Sequence, residues 1–240
     1  MSEGGVMKFL FFLIFSFSIS LSAKEYNVAV AKSLPPFVFE DSQTGIELEL
    51  VREVFASLGH KVNFRFFDLK EIGKQLDNPE IDVALTLNTK LASVHLSDDY
   101  ITYQNVAVTL KSNKFKIASL GDITRFSIGA FANSKKYLGR DFEFLSSENP
   151  KFKEYTNQEE QVKSLYNGDY QVFIGDINIF KYYVKNQKLD LSMVEVHNIF
   201  PPSHFQAGFK NESLRNNFNK ALDKYKRSSK YKALKSKYSF

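Results

Sequence analysis

Three groups of side chains in this sequence could do chemistry at a shared site. Asp176 ends the apolar run Tyr170-Gln-Val-Phe-Ile-Gly-Asp176, which puts a carboxylate at the carboxyl end of an expected buried strand. There it can contact a bound ligand or cap a helix beginning at Ile177. Asn133 and Ser134 stand where another helix should begin, and can cap that helix or help its free amides meet an anion. The segment Thr86-Leu-Asn-Thr-Lys-Leu-Ala-Ser-Val-His95 contains Lys90 as its only cation and no arginine. Lysine offers a point charge there, not the planar two-donor fork that fits a carboxylate.

Covalent and metal chemistry find no support. Cysteine is absent, which excludes disulfides, thiolate zinc sites, iron–sulfur clusters and a cysteine nucleophile. His60, His95, His197 and His204 show no metal-ligand spacing. No Gly-x-Ser-x-Gly elbow and no glycine-rich phosphate loop occurs. No metal and no cofactor is expected.

The elements that must position these groups alternate between strand and helix. Tyr26–Ala31, Val62–Phe66 and Ile81–Thr86 read as strands. Thr44-Gly-Ile-Glu47 reads as a capping box opening a helix with Leu50, Val51, Val54, Phe55 and Leu58 on one face, closed by Gly59. Glu47 and Glu49 are accounted for by the helix dipole. Lys70–Leu76 suits a short helix. A second unit follows: a strand at Phe126–Ala130, a helix ending near Gly139, and a short strand suggested by Phe142 and Phe144. A helix capped by Asn157 and closed by Gly168 comes next, then the strand ending at Asp176, a helix over Ile177–Lys185 and a strand at Met193–Val196. A terminal helix carries Leu214, Phe218, Leu222, Tyr225, Tyr231 and Leu234. This order implies two α/β units with parallel strands and right-handed crossovers, linked through 104–111 and about 196–202.

Lys8 precedes an uncharged apolar run from Phe9 to Leu21, too short to span a membrane but suited to a secretory signal cut after Ala23. With no cysteine there is no lipid anchor, so the expected location is the periplasm. The net charge of +5 raises nucleic acid or anionic membranes as partners. Resolved by segment, residues 211–240 carry +7 and residues 24–210 carry −2. The excess therefore sits on one terminal helix and reads as a solvated outer face, with no nucleic-acid role expected.

The sequence resembles the bacterial extracellular solute-binding proteins of family 3, the amino-acid-binding type. The marks come in order. They are Pro35-Pro-Phe-Val-Phe-Glu-Asp41, Gly45-Ile-Glu-Leu-Glu-Leu-Val-Arg-Glu-Val-Phe-Ala-Ser-Leu-Gly59, Ile81-Asp-Val-Ala-Leu-Thr86 and Leu96-Ser-Asp-Asp-Tyr100. Then come Ser127-Ile-Gly129, Gln161 through Asp176, and the closing segment Phe218–Tyr238. The resemblance implies a two-lobed type II periplasmic-binding fold, each lobe a mostly parallel sheet flanked by helices, joined by two hinge strands. It divides the chain into a signal (1–23), a first lobe (24–107 plus 200–240) and a second lobe (108–199).

The resemblance also implies a function: capture of a small polar ligand, an amino acid or similar, in the interlobe cleft for an ABC transporter. The protein would be a monomer that meets a membrane permease or sensor. The alternatives are a dehydratase-like enzyme of small organic acids and a ligand-sensing accessory protein. The implied site has Phe37 against the ligand, Asp176 on its amino group, and Asn133 and Ser134 toward its carboxylate. Thr86 and Lys90 lie in the segment where relatives carry threonines and a clamping arginine. Without that arginine, either Lys90 substitutes for it or the ligand is not an ordinary α-amino acid.

Overall fold

A computed structural model describes residues 23–89, 91–238 and 240. The expected signal, apart from its last residue, and Lys90 lie outside the described residues.

The apolar runs form two five-stranded sheets of matching design. In the first, β1 (Glu25–Ala31) lies between β2 (Lys61–Phe67) and β3 (Val83–Leu87), parallel to both. After β4 (His95–Tyr103), the chain crosses at Gln104 into β5 (Asn105–Leu110) of the second sheet. That sheet has β6 (Ile128–Phe131) between β7 (Phe152–Tyr155) and β8 (Val172–Asp176), again parallel to both. After β9 (Val194–His197) the chain returns through 198–202 to β10 (Ser203–Phe209). The orders are β2-β1-β3-β10-β4 and β7-β6-β8-β5-β9. In each, the strand that follows a crossing runs antiparallel to both its neighbours, β10 between β3 and β4 and β5 between β8 and β9. Each sheet is therefore mixed, with four strands pointing one way and one reversed.

Helices cover both sheets because the strands are apolar on both faces. In the first lobe α1 (Ile46–Ser57) and α6 (Glu212–Lys226) pack with Val28, Val30, Val83, Leu85 and Phe209. A 3-10 segment at Leu69–Asp77 buries Ile72 and Leu76 against Ala29 and Ala84 on the other face. In the second lobe Phe173, Val106 and Val108 face α4 (Gln158–Asn167) and α5 (Ile177–Asn186). Val172, Ile174 and Ala107 face Phe142 of α3 (Arg140–Ser147).

Three local expectations need correction. Phe142 and Phe144 lie on helix α3, not on a strand: Phe142 is 1% exposed and Phe144 67%. An apolar pair two apart fits a strand face, but two residues along a helix turn about 200° away from each other. Thr44 and Glu47 do not form a capping box. The α1 cap is Gly45, at φ 122°, where a Cβ would lie 2.2 Å from the Phe37 carbonyl oxygen. The amides of Ile46 and Glu47 donate to the Pro36 and Phe37 carbonyls, and the Gly45 amide donates to the Tyr238 hydroxyl. The terminal helix is two helices, α6 and then α7 (Ser229–Tyr238), with Ser228 at the break. The Ser228 hydroxyl donates to the Tyr225 carbonyl and accepts from the Tyr231 amide. Part of the basic charge here is paired: Lys230 with Glu53 and Lys237 with Glu49 of α1.

Candidate functional site

A cleft of about 660 Å³ opens between the two sheets. Leu34, Thr86, Tyr103 and Phe205 line it from the first lobe, and Phe131, Tyr137, Tyr155 and Asp176 from the second. It lies beside β3 and β8, whose carboxyl ends carry Thr86 and Asp176, as expected for an open α/β sheet.

Thr86 takes a positive φ of 57° near the end of β3. Its hydroxyl donates at 2.6 Å to Glu47 Oε1, and its amide donates to the Tyr100 hydroxyl. Tyr100 donates in turn to Glu47 Oε1, and Tyr103 donates to Oε2 at 3.1 Å. Glu47 is thus a buried carboxylate ringed by three hydroxyls, two of which belong to residues lining the cleft. Burial pushes its carboxyl up from the ordinary range, and the three hydrogen bonds offset part of that. Burial, reinforced by the Glu47 charge, also pushes both tyrosines well up. Sequence reasoning left Glu47 at the helix dipole. Yet Leu50, Val51 and Val54 follow it by three, four and seven residues, which puts Glu47 on the buried stripe.

Asp176 is also buried, and backbone amides hold it. Oδ1 accepts from Asn178 at 2.8 Å and Ile179 at 3.1 Å, which caps α5. Oδ2 accepts from the amide of Gln104, the crossing residue, at 2.8 Å. The Gln104 side chain donates to the Phe200 carbonyl in the returning passage. Asp176 thereby ties both passages to α5. Burial raises its carboxyl to about 6 against the pull of these amides.

Asn133 and Ser134 lie at the start of α2 (Ser134–Tyr137), beyond the cleft lining. Asn133 adopts the left-handed conformation at φ 61° and makes no side-chain cap. The donors at this start converge on Glu154 of β7. The Asn133 amide donates to Oε2 at 3.0 Å, and the Ser134 hydroxyl donates to Oε1 at 2.8 Å, with the Lys135 amide at 3.4 Å. The protein's own carboxylate thus fills the place read from sequence as an anion contact.

Phe37 is fully buried below the cleft floor. Its ring stacks on Tyr103 at 3.9 Å and meets Phe240 edge-on at 5.6 Å. From the same turn it is Leu34 that reaches the lining. The structure therefore brings Thr86 and Asp176 to one cleft, places Phe37, Asn133 and Ser134 behind it, and leaves Lys90 outside the described residues. Sequence reasoning missed Tyr103, Phe131, Tyr155, Lys70, Lys74 and Lys136, all in the lining. Among the described residues no group of acids and histidines could hold a metal ion, and no helix is long and apolar enough to cross a membrane.

Solved structures share this architecture. An ancestral arginine-binding protein bound to arginine superposes with a TM-score of 0.68 at 23% identity, covering 89% of this chain and 97% of the other. An ABC uptake transporter substrate-binding protein from Streptococcus pneumoniae with bound histidine gives 0.69 at 22%, covering 89% and 92%. A histidine kinase sensor domain with similarity to periplasmic binding proteins gives 0.69 at 15%, covering 89% and 95%. At these identities the likeness shows the fold, two lobes of type II, and not the ligand. No curated protein matches the chain in sequence. A family model matches residues 26–240, nearly everything after the expected signal, and the chain belongs to the bacterial extracellular solute-binding proteins, family 3.

Proposed function

We propose that this protein is exported to the periplasm and captures a small polar ligand, an amino acid or similar, for delivery to an ABC importer. The observation that carries this reading is the cleft, lined from both sheets, with two chain passages joining the sheets among the described residues. Rotation of the lobes about Gln104 and 198–202 would bury a ligand between them, the usual hinge closure. The Streptococcus pneumoniae structure supports the transport role, being described as a transporter's substrate-binding protein. The histidine kinase sensor domain supports a second role, reporting the ligand to a membrane sensor.

The proposed activity is reversible binding by a monomer, without turnover. The buried acids beside the cleft are engaged by internal donors, which leaves them poorly placed for proton transfer to a ligand. Thermal-shift screening of the purified protein against amino acids, polyamines and small organic acids tests the reading. A ligand at 100 times its dissociation constant stabilises the fold by about 2.7 kcal/mol. No shift in any class would remove the binding function. A change in the mass of a bound ligand would replace binding with an enzyme of the dehydratase kind.

A further inference from the structure

The charges around the cleft divide into those already satisfied and those left free. Three acids stand at or behind its wall, and each is engaged. Asp176 accepts from three backbone amides, and Glu47 accepts from Thr86, Tyr100 and Tyr103. Glu154 accepts from Asn133, Ser134 and Lys135. The cations are in the opposite condition. Lys70 and Lys74 line the cleft from the first lobe and Lys136 from the second. Among the described residues none of the three has a carboxylate within salt-bridge distance. The remaining lining acid is Asp77, exposed in the 3-10 segment that also carries Lys70 and Lys74.

A ligand ammonium needs an acceptor with a free lone pair and a compensating charge. Among the lining acids Asp176 is 3% exposed and already taken up by three backbone amides, which leaves Asp77 as the exposed carboxylate. The other side-chain acceptors of the lining, among them Thr86, Asn88, Asn105 and Gln158, carry no charge. A ligand anion needs unpaired donors, and the wall offers three lysines divided between the lobes. Without a ligand these like charges oppose closure, and an anion between them removes that opposition, so binding and closure favour each other. The rest of the lining is largely aromatic and apolar, with Leu34, Tyr103 and Phe205 across from Phe131, Tyr137 and Tyr155.

We propose that the ligand is a small organic anion, a carboxylate on an apolar or aromatic body with no ammonium group, held by Lys70, Lys74 and Lys136. This rests on the solute-binding reading and narrows it. The test is calorimetric titration of the purified protein with matched pairs that differ only by the amino group: 3-phenylpropionate against phenylalanine, and glutarate against glutamate, with arginine as the cationic probe. The amine-free member of at least one pair should bind about tenfold more tightly than its partner. High salt should weaken it. Lys74→Met and Lys136→Met, both at exposed positions, should each weaken it about tenfold while leaving the melting temperature unchanged. Tighter binding of arginine, phenylalanine or glutamate would overturn the proposal and leave the solute-binding reading standing. Binding of the anion unchanged in both lysine variants would also overturn it. Failure of all five probes to bind would overturn this proposal, and the solute-binding reading would then stand or fall by the wider thermal-shift screen.

Discussion

Glu47 and Asp176 are both buried carboxylates beside the cleft, one in each lobe, but their donors are of different kinds. Three side-chain hydroxyls hold Glu47, and three backbone amides hold Asp176. A hydroxyl can turn from donor to acceptor, whereas an amide N–H can only donate. The Glu47 site can therefore accept a neutral occupant with both donor and acceptor atoms. The Asp176 site requires an acceptor on both oxygens. Glu47 serves as a hub where α1, β3 and β4 meet. Asp176 serves as a joint, fixing the crossing residue to the start of α5.

The largest expected effect comes from emptying the hub. Glu47→Ala leaves three hydroxyls without their acceptor and opens a void, and should cost about 3–4 kcal/mol in urea unfolding. Glu47→Gln keeps the shape and lets the hydroxyls reverse, and should cost under about 1 kcal/mol. Equal losses for the two variants would show that the hydroxyls do not adapt. Asp176→Asn turns an amide nitrogen toward at least one amide donor, and should cost about 2 kcal/mol at neutral pH. Gln tolerated at 47 with Asn rejected at 176 is the signature of the difference.

The pH response sharpens the same contrast. The Asp176 carboxyl rises from 3.8 to about 6 on folding, so the folded state holds this proton more tightly than the unfolded state. Its contribution to stability is fully present below pH 3.8 and is lost as pH rises through about 6. The span amounts to about 3 kcal/mol as an upper bound. Subtracting the unfolding profile of Asp176→Asn from that of the native chain should give a curve that falls between these pH values and is flat above them. A rising curve would mean that the three amides outweigh burial. Glu47, also raised, contributes with the same sign.

The sequence made the strand and helix alternation legible because each buried strand is a short apolar run and the α1, α4 and α5 faces keep a helical period. It also pointed to both partners of the Thr86–Glu47 hydrogen bond, without showing that they touch. That contact joins residues 39 positions apart and depends on how α1 seats on β3. Asp176 shows the limit differently. Capping and ligand contact use the same residue type at the same position, and only the Gln104 amide, 72 residues away, shows how both oxygens are used. Phe37 and Leu34 are both apolar residues of one proline turn. Which of them reaches the cleft depends on the stacking of Phe37 on Tyr103, a partner 66 residues away that has no local signal. The strands β4 and β10 escape because both mix polar residues into their runs, whereas β5 falls within the 104–111 passage that the resemblance makes a hinge strand.

The smallest expected effect isolates exposure from donor count. Glu154, like Asp176, accepts three hydrogen bonds at the start of a helix, from Asn133, Ser134 and Lys135, but it sits at the surface. If donor count set the cost, Glu154→Ala and Asp176→Ala would be equal. If burial sets it, water replaces the lost acceptor for the amides of Asn133 and Lys135, and only the buried Ser134 hydroxyl goes unsatisfied. Glu154→Ala should then cost about 0.5–1 kcal/mol, the value of an ordinary cap, and Asp176→Ala two to three times as much. Ser134→Ala in the Glu154→Ala background should recover part of the loss, because it removes the one donor that water cannot reach. A double variant no more stable than Glu154→Ala alone would show that Ser134 finds another partner, and that the second lobe carries less buried polar demand than the first.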